Sequence, residues 1–257
     1  MSSLIATSHY DEIARPQIRS VPVHAPLFWL RQGGRDLLRA WPSSLALGLL
    51  FTGIGYALTH QAWDHAHLAI FFTSVFLLVA PFLALGFYAL SRSLENGGGG
   101  TFMASMRGNL GSIGMYGLTL AFILSVWERL SALMVGLFYD GNLMVGETIS
   151  LSALISADNL NFTLPWTLSG ALLAGFVFCI SVITLPLLMD RKVDFVTAMG
   201  ASAQAVKVNP MPVLLWAMTI VLLVMLGEAL WFMGLAVILP ILGHATWHAY
   251  RDMVAEE

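Results

Sequence analysis

Residues Leu185–Pro212, LPLLMDRKVDFVTAMGASAQAVKVNPMP, decide how the rest of the chain is read. The stretch holds three of the twelve Lys and Arg residues, Arg191, Lys192 and Lys207, and lies between two long apolar runs, one reaching back to Phe162 and one forward to Gly243. A polar segment flanked in this way is a loop joining membrane spans, here long enough to carry a short helix of its own. Composition agrees. Of 257 residues 58% are hydrophobic and 11% charged, whereas a soluble surface needs about 25% charge. The expected class is all-α: a polytopic transmembrane helical bundle, folded as one domain.

Working outward, Phe162–Met189 reads as a span too long for a vertical crossing, hence tilted or kinked near Pro186. On the other side, Met211–Gly243 is too long for one span and short for two. Counted from Val208 to Tyr250 it allows a hairpin turning at Gly227-Glu228. As a single broken span it would put Glu228 near the bilayer centre, where a lone acid is costly. Toward the N-terminus, Leu110–Trp127 is a span with Gly111, Gly114 and Gly117 at every third position, ending at Glu128 and Arg129. Beyond it, Tyr139–Asn142 reads as a turn and Glu147–Asn159 as a short amphipathic helix lying as a lid on one membrane face. Leu68–Leu90 and Ser43–Thr59 complete six spans.

Before the first span, LFWLRQGGRDLLRAW (27–41) has Leu27, Leu30, Leu37, Leu38 and Trp41 at helical spacing, with Arg31, Arg35 and Arg39 on another face. This is a basic amphipathic helix suited to contact with anionic lipid headgroups; packing on its own protein is the competing role. The segment Thr101–Asn109 resembles a smaller copy. The domain organisation expected is therefore a polar tail over 1–26 without a signal peptide, a six-span domain over 27–250 and a short tail over 251–257. Eleven Lys or Arg fall on the side of the two termini and only Arg129 on the other, which makes both termini cytoplasmic in a multi-pass inner-membrane protein. The elements also suggest three loosely repeated helix-hairpin units, beginning near Phe28, Phe102 and Phe195, although unequal spacing leaves chance as a competitor.

The pieces SVPVHAPLFWLRQGGRDL, TLPLLMDRKVDFVTAMGASAQAVKVNP and PILGHATWHAYRD resemble the bacterial integral-membrane family catalogued as domain of unknown function 2189, over roughly Ile18 to Val254. Some members of that family carry a cytochrome c oxidase label. The resemblance implies association with respiratory membranes and transfers no catalytic residues.

Chemistry must then come from the residues. His244 and His248 stand four apart on one helical face and could share a transition metal, with Asp190 or Asp252 as a third ligand. The alternative is two interfacial histidines hydrogen-bonded to loops or headgroups. They could not sandwich a haem, because axial ligands approach from opposite sides of the ring. His60, Asp64, His65 and His67 form a second donor cluster, read first as solvated loop. Glu128 with Arg129 is a polar pair at the end of its span, expected to meet a charge on the lid or to mark a polar cavity, with a plain ion pair at the water boundary as the alternative. Cys179, the single cysteine, excludes an internal disulfide. With no phosphate loop, activated nucleophile or paired carboxylates, enzyme chemistry is not expected. Three functions stay open: a non-catalytic accessory or assembly protein of a larger membrane complex, a small-solute transporter or channel, and a metal-binding membrane protein. Membrane lipids are the expected partners, and nucleic acid is not one.

Overall fold

The structure, a computed structural model, describes residues 16–62, 82–97, 108–138, 160–230 and 232–255. Among them all regular structure is helical, apart from one antiparallel bridge between Ile18 and Val254. The helices are α1 (Ala25–Arg39), α2 (Trp41–Ala62), α3 (82–95), α4 (Leu110–Phe138), α5 (Leu160–Ser181), α6 (Thr184–Asp190), α7 (Phe195–Val208), α8 (Pro210–Ala229) and α9 (Leu235–Met253). Three are long and apolar enough to cross a membrane: α4, α5 with α6, and α8; a fourth appears if α1 and α2 are taken together. Most of the expected span Leu68–Leu90, the histidine cluster apart from His60, most of Thr101–Asn109, the turn at Tyr139–Asn142 and the lid at Glu147–Asn159 lie outside the described residues.

The breaks between helices have local causes. Helix α1 meets α2 at 106°. Pro42 cannot donate to the Leu38 carbonyl and its ring would strike it, so the chain turns at Ala40. Helix α1 thus lies across the direction of α2, as an interfacial helix would. Trp29, Gly33, Asp36 and Leu37 are buried against the protein, while Leu27, Leu38, Arg31, Arg35 and Arg39 face outward. The kink expected near Pro186 falls at Val182-Ile183, because the proline leaves the Val182 carbonyl without its helical donor. Ser202 on α7 repairs this break, accepting from the Ile183 N–H at 3.4 Å and donating to the Cys179 carbonyl at 2.8 Å. Helix α7 starts where Asp194 accepts from the Thr197 N–H at 2.9 Å, an N-cap, and it buries Ala198, Ala201, Ser202 and Ala205 at helical spacing.

Two boundaries differ from the sequence expectation. Helix α4 does not end at Glu128-Arg129 but continues to Phe138, 29 residues in all, or about 43 Å at 1.5 Å per residue. That spans hydrocarbon and headgroup layers together, and Arg129 stays on the helix by donating to its own Ser125 carbonyl at 3.0 Å. The turn after α8 falls between the helix ends at Ala229 and Leu235, not at Gly227-Glu228. Gly227 is buried near the end of α8, where a Cβ would sit 2.5 Å from Leu235 Cδ2, so the glycine admits the returning helix instead of breaking the chain. Phe232 makes the turn with φ 63°, a left-handed value rare outside glycine and asparagine. Of the two alternatives, the hairpin is formed: Asn209 at the start of α8 takes the Val21 N–H at 2.8 Å, and Arg19 bonds Met253 at the end of α9 at 2.8 Å.

Packing makes α9 the central helix. Gly33 lets α1 close on it, for a Cβ there would meet the Ile241 carbonyl at 2.5 Å and the Ala245 nitrogen at 2.8 Å. Gly48 does the same for α2, where a Cβ would overlap the Ala236 carbonyl. That carbonyl has no helical donor, because residue 240 is proline. Gly243 receives Phe87 of α3, and Gly117 of α4 receives Phe82. Helices α4 and α5 run antiparallel, with Tyr116 donating to Ser181 at 2.7 Å, Trp127 on Gly170, and Trp166 donating to Ser131 at 2.6 Å.

Candidate functional site

Four helices that meet at one end of the bundle bring together a buried polar cluster. Asp36 comes from α1, Ser44 from α2, Ser91 from α3, and His244 and His248 from α9. Ser44, Ser91 and His244 are fully buried and Asp36 nearly so. Ser44 Oγ lies 2.9 Å from His244 Nε2, Ser91 Oγ 2.8 Å from His244 Nδ1 and 2.8 Å from Asp36 Oδ2, and His248 Nε2 2.8 Å from the same carboxylate oxygen.

Counting protons assigns the donors. Ser91 has one hydroxyl hydrogen; it goes to Asp36, which can only accept, so Ser91 must accept from His244 Nδ1–H. The other nitrogen, Nε2, then carries the lone pair and accepts from Ser44. The four hydrogen bonds along Ser44, His244, Ser91, Asp36 and His248 are satisfied together by one arrangement of donors and acceptors, as a buried network requires. Burial by itself would raise the Asp36 carboxyl, but hydrogen bonds from His248 and Ser91, helped by the electrostatics of the neighbouring imidazole rings, hold it below the usual carboxylate range. Phe87 packs edge-on against the His244 ring at 5.6 Å and closes the cluster on the α3 side.

A second lattice lies one turn further along α9. Asp190 accepts from Tyr250 at 2.7 Å and pairs with Arg92 at 3.3 Å and Arg251 at 3.9 Å. Glu95 accepts from the Trp247 indole at 3.0 Å and pairs with Arg251 at 3.5 Å. Asp252 accepts from the Trp29 indole at 3.0 Å, and Arg191 donates to the Ala255 carbonyl.

The sequence-derived site residues therefore separate. His244 and His248 share a helical face as spaced, yet they converge on Asp36 and not on Asp190 or Asp252, whose oxygens serve Tyr250, Arg92 and Trp29. No set of three or more His, Cys, Asp or Glu among the described residues is arranged to hold a metal ion. A metal at His244 would have to displace a serine from one of its nitrogens. Glu128 and Arg129 stand side by side within α4, and the lid whose charge they were expected to meet lies outside the described residues. Arg31, Arg35 and Arg39 are exposed, as headgroup contact demands.

Asp36, Ser44, Ser91 and Glu95 were not singled out from the sequence. For Asp36 a signal existed: it is an acid on the same helical face as Trp29, Gly33 and Leu37, inside the apolar stripe. The serines carried none, since serine is unremarkable in a span and their partners lie 200 and 153 positions away.

Comparison with known proteins adds the family. No curated protein and no solved structure matches the chain. The pieces that carried the resemblance lie mostly outside the matched segment, the middle one overlapping it only from Thr184 to Asp190. Residues 67–190 match the family described as "Predicted integral membrane protein (DUF2189)", so over that segment the chain carries the signature of an integral membrane protein.

Proposed function

We propose that this is a non-catalytic accessory or assembly protein that associates within the bilayer with a larger membrane complex, through the outward face of α4. The observation that carries this reading is the burial of α4. It is a membrane-length helix of which only 6% of the most apolar window is buried inside the molecule. Its exposed positions Gly111, Met115, Leu118, Phe122, Val126, Leu130, Leu133 and Leu137 follow three- and four-residue steps along one side. A Cβ at Gly111 or Gly114 would meet nothing, so both glycines leave room for a neighbouring backbone. The polar cluster, by contrast, is sealed inside and serves to fix α9 against α1, α2 and α3.

The topology that goes with this reading has six spans in a bacterial inner membrane and cytoplasmic termini. Pairing of residues 17–19 with 253–255 keeps both ends on one face, which supports an even number of crossings. The basic residues of that face favour the cytoplasm. A repeat of interfacial helix and hairpin is supported by α1 and α7, each separated from the following helix by a single residue, Ala40 or Asn209.

The test is photo-crosslinking in native membranes from a reactive side chain at Phe122, with Tyr116, on the buried face, as control. One discrete protein adduct from position 122 and none from 116 is expected. Adducts to lipid alone at position 122 would remove the basis of the proposal.

A further inference from the structure

We propose that α1 docks lengthwise on the bilayer surface, its outward arc gripping anionic phospholipid headgroups, and that this contact braces the helix against α9. A different helix is involved from the one that carries the lateral association of α4, and neither contact needs the other.

Geometry lays α1 flat. Its 15 residues extend about 22 Å, short of a hydrocarbon layer of about 30 Å, so α1 cannot cross alone. It meets the apolar α2 at 106°, with only Ala40 between them. With α2 along the membrane normal, α1 lies about 16° from the membrane plane.

The exposed arc of α1 has two chemistries. At about 100° per residue, Leu27 and Leu38 stand within about 20° of each other, and Arg31, Arg35 and Arg39 follow at about 20°, 60° and 100° beyond Leu38. Leu27 is 71% and Leu38 74% exposed. One edge of the arc is thus apolar and the other cationic, as in a helix lying where acyl chains meet headgroups. Phe28 and Trp41, both exposed, bring aromatic rings to the same level.

Charge selects the lipid. The arc carries three arginines and no acid, since Asp36, the one acid of α1, is buried on the opposite face. Among the described residues Arg31 and Arg39 pair with no carboxylate, and Arg35 bonds the neutral Gln32 at 3.0 Å. Guanidinium forks in that state take phosphate oxygens two at a time, and a net negative headgroup adds an attraction that a zwitterionic one lacks. A soluble acidic partner would satisfy the arginines yet leave the leucine edge in water. The other face of α1 seats Gly33 and Asp36 against α9, so a grip on the outside opposes the opening of the buried cluster.

Two measurements on the full chain in phosphatidylcholine bilayers, with and without phosphatidylglycerol at constant ionic strength, test this. Spin labels at Leu38→Cys and at Arg39→Cys, each with Cys179→Ser, report depth through collision with oxygen and with a water-soluble nickel chelate. The label at 38 should favour oxygen and the label at 39 the chelate. In thermal unfolding, phosphatidylglycerol should raise the midpoint of the wild type. The triple variant Arg31→Gln, Arg35→Gln, Arg39→Gln should lose at least half of that rise, whereas Lys192→Gln, which removes an exposed cation outside α1, should keep it. Both labels equally open to the chelate, or both shielded from the two reagents as beneath a protein, overturns the proposal. So does a wild type indifferent to phosphatidylglycerol, or a triple variant that responds as fully as K192Q.

Discussion

Replacing Ser44 and His244, singly and together, tests the buried cluster most directly. His244→Ala removes two hydrogen bonds and the ring that packs on Phe87, and leaves the Ser44 hydroxyl buried without its imidazole. Lost packing and an unsatisfied hydroxyl together amount to about 2–4 kcal/mol. Ser44→Ala removes one bond, about 1 kcal/mol. In the double variant no hydroxyl is stranded, so the loss should fall short of the sum of the singles. Couplings of this kind inside membranes average about 0.6 kcal/mol and reach about 1.7; full burial of both partners places this one in the upper part of that range, near 1 kcal/mol. Reversible unfolding by SDS titration in mixed micelles would measure all four proteins. Losses that add within about 0.3 kcal/mol, as for independent sites, would refute the Ser44–His244 hydrogen bond and with it the proton assignment along the cluster.

Other expectations follow from the same packing. Because the folded Asp36 carboxyl is held below its ordinary value, its ionised form stabilises the protein at every pH above about 4, and that contribution is lost as pH falls through the lower, folded value. The midpoint of unfolding followed from pH 7 to 3 should drop in acid less steeply for Asp36→Asn than for the wild type, and equal slopes would contradict the arrangement. Gly48→Ala should destabilise strongly, since the new methyl overlaps a backbone carbonyl of α9. Gly111→Ala, facing open space, should be neutral or stabilising by up to about 1 kcal/mol from helix propensity; the ranking of their SDS midpoints checks both. Asp194→Ala should cost about 1 kcal/mol through the lost cap of α7, and the same titration would reveal a cap that contributes nothing.

Much of the architecture was legible because bilayer chemistry is written locally. Twenty-odd apolar residues, a proline at a helix start and arginines at four-residue intervals need no distant partner to be understood, so the all-helical class, the helix α1 with its arginine face, the short α7 and the break near Pro186 could be read directly. Helix ends were less legible. Glu128 and Arg129 look like a boundary in sequence, yet α4 carries both charges within it and runs on to Phe138. Gly227 looks like a turn and is instead the flat place on which Leu235 lands.

The site divides along the same line. Spacing alone put His244 and His248 on one face of a helix, because three- and four-residue steps are a property of the helix itself. What they face was decided only by the fold: Asp36 stands 212 positions from His248, and it is brought there because Gly33 and Gly48 let α1 and α2 approach α9 more closely than any side chain would permit. A sequence determines which faces are apolar, which charges flank a span and where a proline frees a carbonyl. Which polar groups meet inside depends on helix approach, set by tertiary contacts between distant glycines and backbone, and that information lies in no local pattern.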